Sequence, residues 1–245
     1  MIDLTSFIED AAAASIDIQE KLQKNSASLY EKLDIGAGGD ISYGADIMAE
    51  KIYVSYLKKY AKIDSEESGI IGEGKYTIYL DPLDGSDNFK TNFPYYGSSI
   101  ALCDGDETLA AVIVNFISSE IFIRTKNEFY KTYLNDLSCK LDVLENNSLS
   151  SVGIVEKAYA DPKKTVPLKE NHLKFRSPGA IALSLAYAHY VKYMLFFGTM
   201  RVYDIQAGLY MCKDLNVYMD DEIIIISKDD DLFKKLCKLY NKEPF

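Results

Sequence analysis

Tryptophan is absent from the 245 residues, and histidine occurs only at His172 and His189. Neither histidine falls in a pattern with a second ligand or a nucleophile. Both read as surface or packing residues, and histidine-based hydrolysis is poorly supported. No GxSxG occurs, which removes the strand–turn–helix serine nucleophile. The four cysteines, Cys103, Cys139, Cys212 and Cys237, are widely spaced and form no CxxC. They read as buried free thiols in a reducing cytosol. No apolar run approaches the roughly 20 residues of a membrane-spanning helix. Met1-Ile2-Asp3-Leu4 is acidic and lacks a signal-peptide pattern. Basic residues are fewer than acidic ones, 27 against 37, for a net charge of −10. The balance argues against a polyanion-binding surface. The expectation is a cytoplasmic chain with neither membrane nor nucleic acid as partner.

What is present is apolar substance, 48% of the residues, enough for a sizeable core. The stretch that organises it is Asp81-Pro82-Leu83-Asp84-Gly85-Ser86-Asp87-Asn88-Phe89. The run before it, Tyr76-Thr77-Ile78-Tyr79-Leu80, is rich in β-branched and aromatic residues and predicts a strand. Asp81 then stands at the strand end, and Pro82 turns the chain. Gly85 permits a tight backbone, and Ser86 or Asp87 can cap a short helix. Two carboxylates three residues apart thus face a helix start. Hard divalent cations take carboxylate oxygens, and phosphate suits a helix N-terminus.

Along the chain, residues 5–33 predict a long helix, with Phe7, Ile8, Ala11, Ala14, Ile18, Leu22 and Leu29 at helical spacing. The glycine-rich segment 34–44 predicts a mobile loop. A second helix is expected over 45–60, with Asp46 and Glu50 one turn apart. Lys62–Gly69 reads as a short strand and an acidic turn, and Gly72–Lys75 as a hairpin loop. Strands at 97–103, 108–115, 120–125 and 129–133 form an antiparallel meander, with Asp104-Gly105 as a hairpin turn. The polar segment 134–150 is the candidate boundary between halves 1–135 and 136–245 of a single domain. The second half alternates strand 151–156, strand 172–176, helix 179–190, strand 192–197, helix 203–213, strand 223–227 and helix 229–241, a mixed sheet covered by helices. Asp229-Asp230-Asp231 suits a helix start and reads as structural.

The string Asp81–Phe89 resembles the DP-(I/L)-DG-(T/S)-x-NF signature of the inositol monophosphatase superfamily of metal-dependent phosphatases. Three further segments follow in the family order. Asp46–Lys51 resembles the segment that carries an Asp beside the attacking water. Ser65-Glu66-Glu67-Ser68 resembles a GEES element with Ser65 for Gly. Val202–Gly208 resembles WD-x-AAG, with Tyr203 for Trp and Gln206 for Ala. Arg176-Ser177-Pro178-Gly179 resembles a turn before a helix. On its own, Asp204 would also suit an N-cap.

The resemblance implies an α/β (α+β) fold of the sugar phosphatase type, a layered α-β-α-β-α sandwich, and a homodimer. It implies Mg²⁺, or Mn²⁺, held by Glu66, Asp81 and the Leu83 carbonyl at one site and by Asp81, Asp84 and Asp204 at a second. Asp46, hydrogen-bonded through Ser86, would position the attacking water, with Glu67 nearby, and Glu50 would be structural. Backbone N–H groups of Gly85 and Ser86 would hold the phosphate. The short chain and its glycine-rich loop most resemble the archaeal type, which hydrolyses fructose 1,6-bisphosphate and inositol 1-phosphate; there Asp40 is a possible third metal ligand. Inositol-specific relatives carry an acid seven residues before the last metal Asp, where this chain has Phe197, which cannot accept those hydrogen bonds. Arg176 and Arg201 are candidates for a second phosphate or the sugar hydroxyls, or else form surface ion pairs. A small phosphorylated substrate is the expected partner, fructose 1,6-bisphosphate first. The alternatives are adenosine 3′,5′-bisphosphate or NADP as substrate, and a non-catalytic metal- or sugar-phosphate-binding regulator.

Overall fold

The computed structural model describes residues 2–143 and 150–243. Helix α1 (Leu4–Gln23) starts at Asp3, whose carboxylate accepts the N–H groups of Thr5 and Ser6. It stops at Gln23, well short of residue 33, because Asn25 turns left-handed (φ 51°) and a single 3₁₀ turn, Ala27–Tyr30, redirects the chain. The helical spacing of Leu29 is met by that separate turn, which buries it. Strands β1 (Lys32–Ile35) and β2 (Ile41–Tyr43) pair antiparallel. The glycine-rich loop is therefore the tip of a two-stranded ribbon. Helix α2 (Gly44–Leu57) follows directly. Alanines 11, 14, 45 and 49 are fully or almost fully buried, which lets α1 and α2 approach closely. The buried Tyr53 hydroxyl joins them to the sheet behind, bonding Ser15 Oγ at 2.8 Å and Ser98 Oγ at 2.5 Å.

Strands β3 (Lys62–Ser65), β4 (Gly69–Ile71) and β5 (Thr77–Asp84) come next. β4 and β5 flank β3 on opposite sides, and β3 runs parallel to β5. Gly72–Lys75 is thus part of a crossover rather than a hairpin loop. β5 also runs on to Asp84 instead of ending at Asp81. Its register shifts between Asp81 and Asp84, and Pro82 sits in that irregularity, where a missing N–H costs no ladder bond. A short helix α3 (Ser86–Lys90) starts after Gly85. The meander then runs β6 (Gly97–Asp104), β7 (Glu107–Asn115), β8 (Glu120–Thr125), β9 (Phe129–Tyr133) and β10 (Asp136–Asp142), completing an eight-stranded sheet of order β10-β9-β8-β7-β6-β5-β3-β4. β10 falls in the segment read as polar boundary. It is an edge strand whose side chains are mostly exposed, so it carries no apolar alternation, and Cys139 on it is exposed rather than buried. Residues 144–149 of that segment lie outside the described residues.

The rest of the chain forms β11 (Val152–Glu156), α4 (Val166–Glu170), β12 (Lys174–Arg176), α5 (Ile181–Ala186), β13 (Met194–Phe197), α6 (Val202–Met211), β14 (Asn216–Met219), β15 (Ile223–Ser227) and α7 (Asp230–Leu239). The expected helix 179–190 is the shorter α5 followed by a 3₁₀ turn. β14, an edge strand of alternating partial exposure, and α4 are additional to the expected elements. The five-stranded sheet has order β12-β11-β13-β15-β14, with β12, β11 and β13 parallel. Asp229 caps α7 by accepting Leu232 N–H at 2.8 Å, as its position suggested.

Five layers result. α1 and α2 cover one face of the large sheet. α5 and α6 fill the space between its other face and the second sheet. α7 and α4 close the far side. The middle layer is tight: a Cβ on Gly208 of α6 would lie 2.3 Å from Leu185 of α5. His189 packs there against Phe129, its Nε2 3.0 Å from the Met211 carbonyl. The fold is the expected α/β sandwich. No helix among the described residues is long and apolar enough to cross a membrane.

Candidate metal centre and active site

The acids converge at the ends of β3 and β5, beside the first turn of α6. Glu66 follows β3, Asp81 and Asp84 lie in the irregular end of β5, and Asp204 is in the first turn of α6. Glu66, Asp81 and Asp204 each bring a carboxylate oxygen within 4.8 Å of the others. Asp84 is equally buried, and its Oδ2 accepts the Leu183 N–H of α5 at 2.9 Å. Asp81 Oδ1 accepts the Leu83 N–H at 2.9 Å across the bulge. These residues line one cavity of about 440 Å³ together with Leu83, Gly85, Ser86, Asp46 and Glu67.

The buried negative charge has electrostatic consequences. Burial pushes the Glu66 carboxyl up to about 7, with Arg201 opposing the rise and Asp204 adding to it. Asp81 and Asp84 are held well above the usual carboxylate range, first by burial, then by Glu66 for Asp81 and by Asp204 for Asp84. Burial, then the Glu67 charge, pushes Asp46 up to about 7. Burial also raises Glu67 against a hydrogen bond from the Ser42 hydroxyl. A carboxylate set of this kind, all oxygen donors in close reach and short of positive charge, fits a hard divalent cation.

Arg201 is the cation that meets this charge. Its Nη1 lies 2.7 Å from Glu66 Oε1 and 2.8 Å from Asp40 Oδ2, and its Nε donates to Asp204 Oδ2 at 2.9 Å. Asp40, mostly exposed at the ribbon tip, is thereby joined to the cluster. Of the two arginines considered for a second phosphate, Arg201 is committed to three acids. Arg176 does not reach the cavity at all. It ends the edge strand β12, is exposed, and donates to the Phe175 carbonyl at 2.9 Å.

Other candidates are placed as follows. Asp46 and Ser86 both line the cavity, but among the described residues no hydrogen bond joins them. Asp46 sits in the first turn of α2, and its Oδ2 accepts the Tyr43 N–H at 2.7 Å to close that helix end. Glu50 binds the Ser68 N–H (3.0 Å) and hydroxyl (2.6 Å), holding the turn that carries Glu66 and Glu67. Gly85, rather than Ser86 or Asp87, is the cap residue of α3, at φ 83°. A Cβ there would lie 2.9 Å from Ala180 Cβ and 3.1 Å from the Tyr95 carbonyl, so only glycine suits the position. The first N–H groups of α3 have no carbonyl one turn back to bond. Phe197 is buried on the far face of its sheet, its ring 5.4 Å from that of Tyr240. Its neighbour Phe196 lines the cavity instead.

Sequence reasoning missed a further part of the lining, made of Glu156, Lys157, Tyr159, Ile181 and Phe196. Buried Glu156 accepts the Gly179 N–H at 3.0 Å and the Ser184 hydroxyl at 2.5 Å, and burial raises its carboxyl. A signal was available: Glu156 ends an apolar strand run much as Asp81 follows one.

Residues 3–220 match the sequence profile of the inositol monophosphatase family. A fructose-1,6-bisphosphatase/inositol-1-monophosphatase of Aquifex aeolicus is 27% identical over 232 residues, 87% of this chain and 85% of its own. A protein of Xylella fastidiosa named Nus factor SuhB is 28% identical over 203 residues, 78% of this chain and 73% of its own. Among solved structures, an IMPase of Thermotoga maritima aligns with a TM-score of 0.76 at 20% identity, covering 96% of this chain and 98% of its own, a likeness of fold.

Proposed function

The chain belongs to the inositol monophosphatase family, and from that premise we propose that it is a Mg²⁺-dependent phosphomonoesterase acting on small sugar or inositol phosphates, fructose 1,6-bisphosphate foremost and inositol 1-phosphate beside it. The observation that carries the reading is the convergence of Glu66, Asp81 and Asp204 oxygens within 4.8 Å, beside Asp84 and the start of α3. Glu66, Asp81, Asp84 and Asp204, with the Leu83 carbonyl, would hold the metal. Bound there, a divalent cation supplies charge neutralisation to phosphoryl oxygens and lowers the pKa of water. The N–H groups at Gly85 and Ser86 bind phosphate oxygens and orient the ester. Asp46 would position the attacking water and accept its proton, with Glu67 and Ser86 lining the same cavity. Arg201 balances the acids when the metal is absent. Asp40, on the ribbon tip, is a candidate ligand for a further metal.

The Aquifex relative is named for both fructose-1,6-bisphosphatase and inositol-1-monophosphatase activities, which supports this substrate range. The name of the Xylella relative suggests a regulatory role instead; the full acid set in this chain favours catalysis. The test is phosphate release by the purified protein with Mg²⁺, with Mn²⁺ and with chelator, on fructose 1,6-bisphosphate, inositol 1-phosphate, adenosine 3′,5′-bisphosphate and NADP. Metal-dependent release from the first two supports the proposal, and release from none turns the reading toward a regulator. A cytoplasmic homodimer is proposed on family membership, and light scattering of the purified protein checks the assembly.

A further inference from the structure

Val202–Gly208 departs from WD-x-AAG at Tyr203 and Gln206. The two stand three residues apart on α6, on one face of the helix. Each carries a polar bond to the large sheet. The Tyr203 hydroxyl donates to Asp64 Oδ1 of β3 at 3.2 Å. Gln206 Nε2 donates to Thr108 Oγ1 of β7 at 2.9 Å. From β6, which lies between those strands, the Ser99 hydroxyl donates to the Tyr203 carbonyl at 3.2 Å. An alanine at position 206 could make no such bond.

These bonds fall beside the acidic cluster without using its oxygens. Asp64 lies two residues before Glu66, Ser99 pairs in register with Asp81, and Tyr203 precedes Asp204. Helix α6 has no side-chain cap, because the Arg201 guanidinium turns to Asp40, Glu66 and Asp204. That tie runs through cluster oxygens, where a cation would compete with it. The bonds of Tyr203 and Gln206 need none of those oxygens. Oxygens of Glu66, Asp81 and Asp204 lie within 4.8 Å of one another, and in their ionised forms they repel. The repulsion pushes the first turn of α6 from the sheet, and the bonds oppose it.

We infer that Tyr203 and Gln206 are positioning residues. Through side-chain bonds to β3 and β7 they fix the first turn of α6, and so Asp204, at the distance from Glu66 and Asp81 that a divalent cation requires. The inference rests on the metal-centre reading above. A donor set held in place binds a cation more tightly than one that must first be gathered.

The probe is Mn²⁺ alone, titrated calorimetrically into the metal-free protein, with circular dichroism melts in chelator alongside. Tyr203→Phe and Gln206→Ala should each weaken Mn²⁺ binding, and together by about ten-fold or more. Tyr203→Phe should have no further effect in an Asp64→Ala background, where the acceptor is already gone. Tyr218→Phe is the control: it cuts a tyrosine–aspartate bond of 2.9 Å on β14 and should leave the Mn²⁺ constant unchanged. Variants that melt earlier yet bind Mn²⁺ as the wild type does overturn the inference, since both residues then only stabilise the fold. A full further loss from Tyr203→Phe in the Asp64→Ala background overturns it for Tyr203. A wild type that binds no Mn²⁺ overturns the metal centre and the inference with it, a result distinct from binding that every variant retains.

Discussion

Arg201 Nη1 stands 2.7 Å from Glu66 Oε1. The guanidinium also bonds both oxygens of the Asp204 carboxylate, through Nε at 2.9 Å and Nη2 at 3.2 Å. One arginine therefore reaches into the carboxylate cluster and spans two of its three members. A divalent cation at these oxygens would compete with it, which would link metal affinity and resting stability through this side chain.

Arg201→Ala should destabilise the metal-free protein by about 2–4 kcal/mol, because it leaves partly buried acids without a counter-charge. The same change should raise metal affinity, since a competitor is gone. Thermal melts with chelator and over a Mg²⁺ titration check both. The expected outcome is a lower melting temperature without metal and a larger Mg²⁺-induced rise than in the wild type. Equal shifts in both proteins would contradict the competition.

Asp84→Asn should preserve the fold, because the amide oxygen can still accept the Leu183 N–H. It should lose at least about 100-fold in phosphatase kcat/KM, since a neutral amide is a poor ligand for a hard cation. Circular dichroism and the phosphate-release assay separate the two effects. Activity within a few-fold of wild type would remove Asp84 from the metal site.

The pH dependence has a definite sign. Glu66 and Asp46 titrate near 7 in the folded chain against ordinary values of 4.5 and 3.8. Between those limits the folded state binds more protons than the unfolded state, so the stability of the metal-free protein falls as pH rises from about 4 through about 7. Buried His189, held low, works in the opposite direction, one group against the raised Glu66, Glu67, Asp46, Asp81, Asp84 and Glu156. Metal affinity should climb across the same window as the ligands ionise. Calorimetry in chelator and Mg²⁺ titrations at each pH should give opposite slopes. A metal-free melting temperature that rises from pH 5 to 7.5 would refute this account.

Glu156→Ala should cost about 2–4 kcal/mol in urea unfolding, because the Gly179 N–H and the Ser184 hydroxyl lose a buried acceptor. Glu156→Gln should cost about 1 kcal/mol or less, as one acceptor oxygen remains. Similar losses for both variants would mean that the charge itself, not the acceptor, holds the segment 179–184.

The core of the site was legible because its chemistry restricts residue choice locally. Within Asp81–Phe89, two buried acids lie three residues apart and only glycine fits at position 85, so nine residues announced the site. The meander strands and α2 were legible from their alternation and spacing. The end of α1 was not, because Leu29 is buried from a 3₁₀ turn and so satisfies helical periodicity without a helix. β10 and β14 were not, because edge strands need little apolar pattern. The pairing of Arg201 with Glu66 and Asp40, the exclusion of Arg176 and the cavity wall around Lys157 are tertiary facts. Each depends on where a segment from elsewhere in the chain comes to lie. Phe197 shows the limit of counting along a strand: the position named from the motif faces the core, and its neighbour faces the cavity.

The N–H of Leu183 reaches back to Asp84, and Asp204 lies further along still. A ribosome extends the chain from its N-terminus, so the large sheet can emerge carrying Glu66, Asp81 and Asp84 well before α5 and α6 are made. Until then those acids stand at the ends of β3 and β5, without Asp204 and without Arg201. Metal capture at full affinity would thus mark completed synthesis rather than early collapse. Lanthanide luminescence at this site, followed during refolding, should lag behind the recovery of sheet structure.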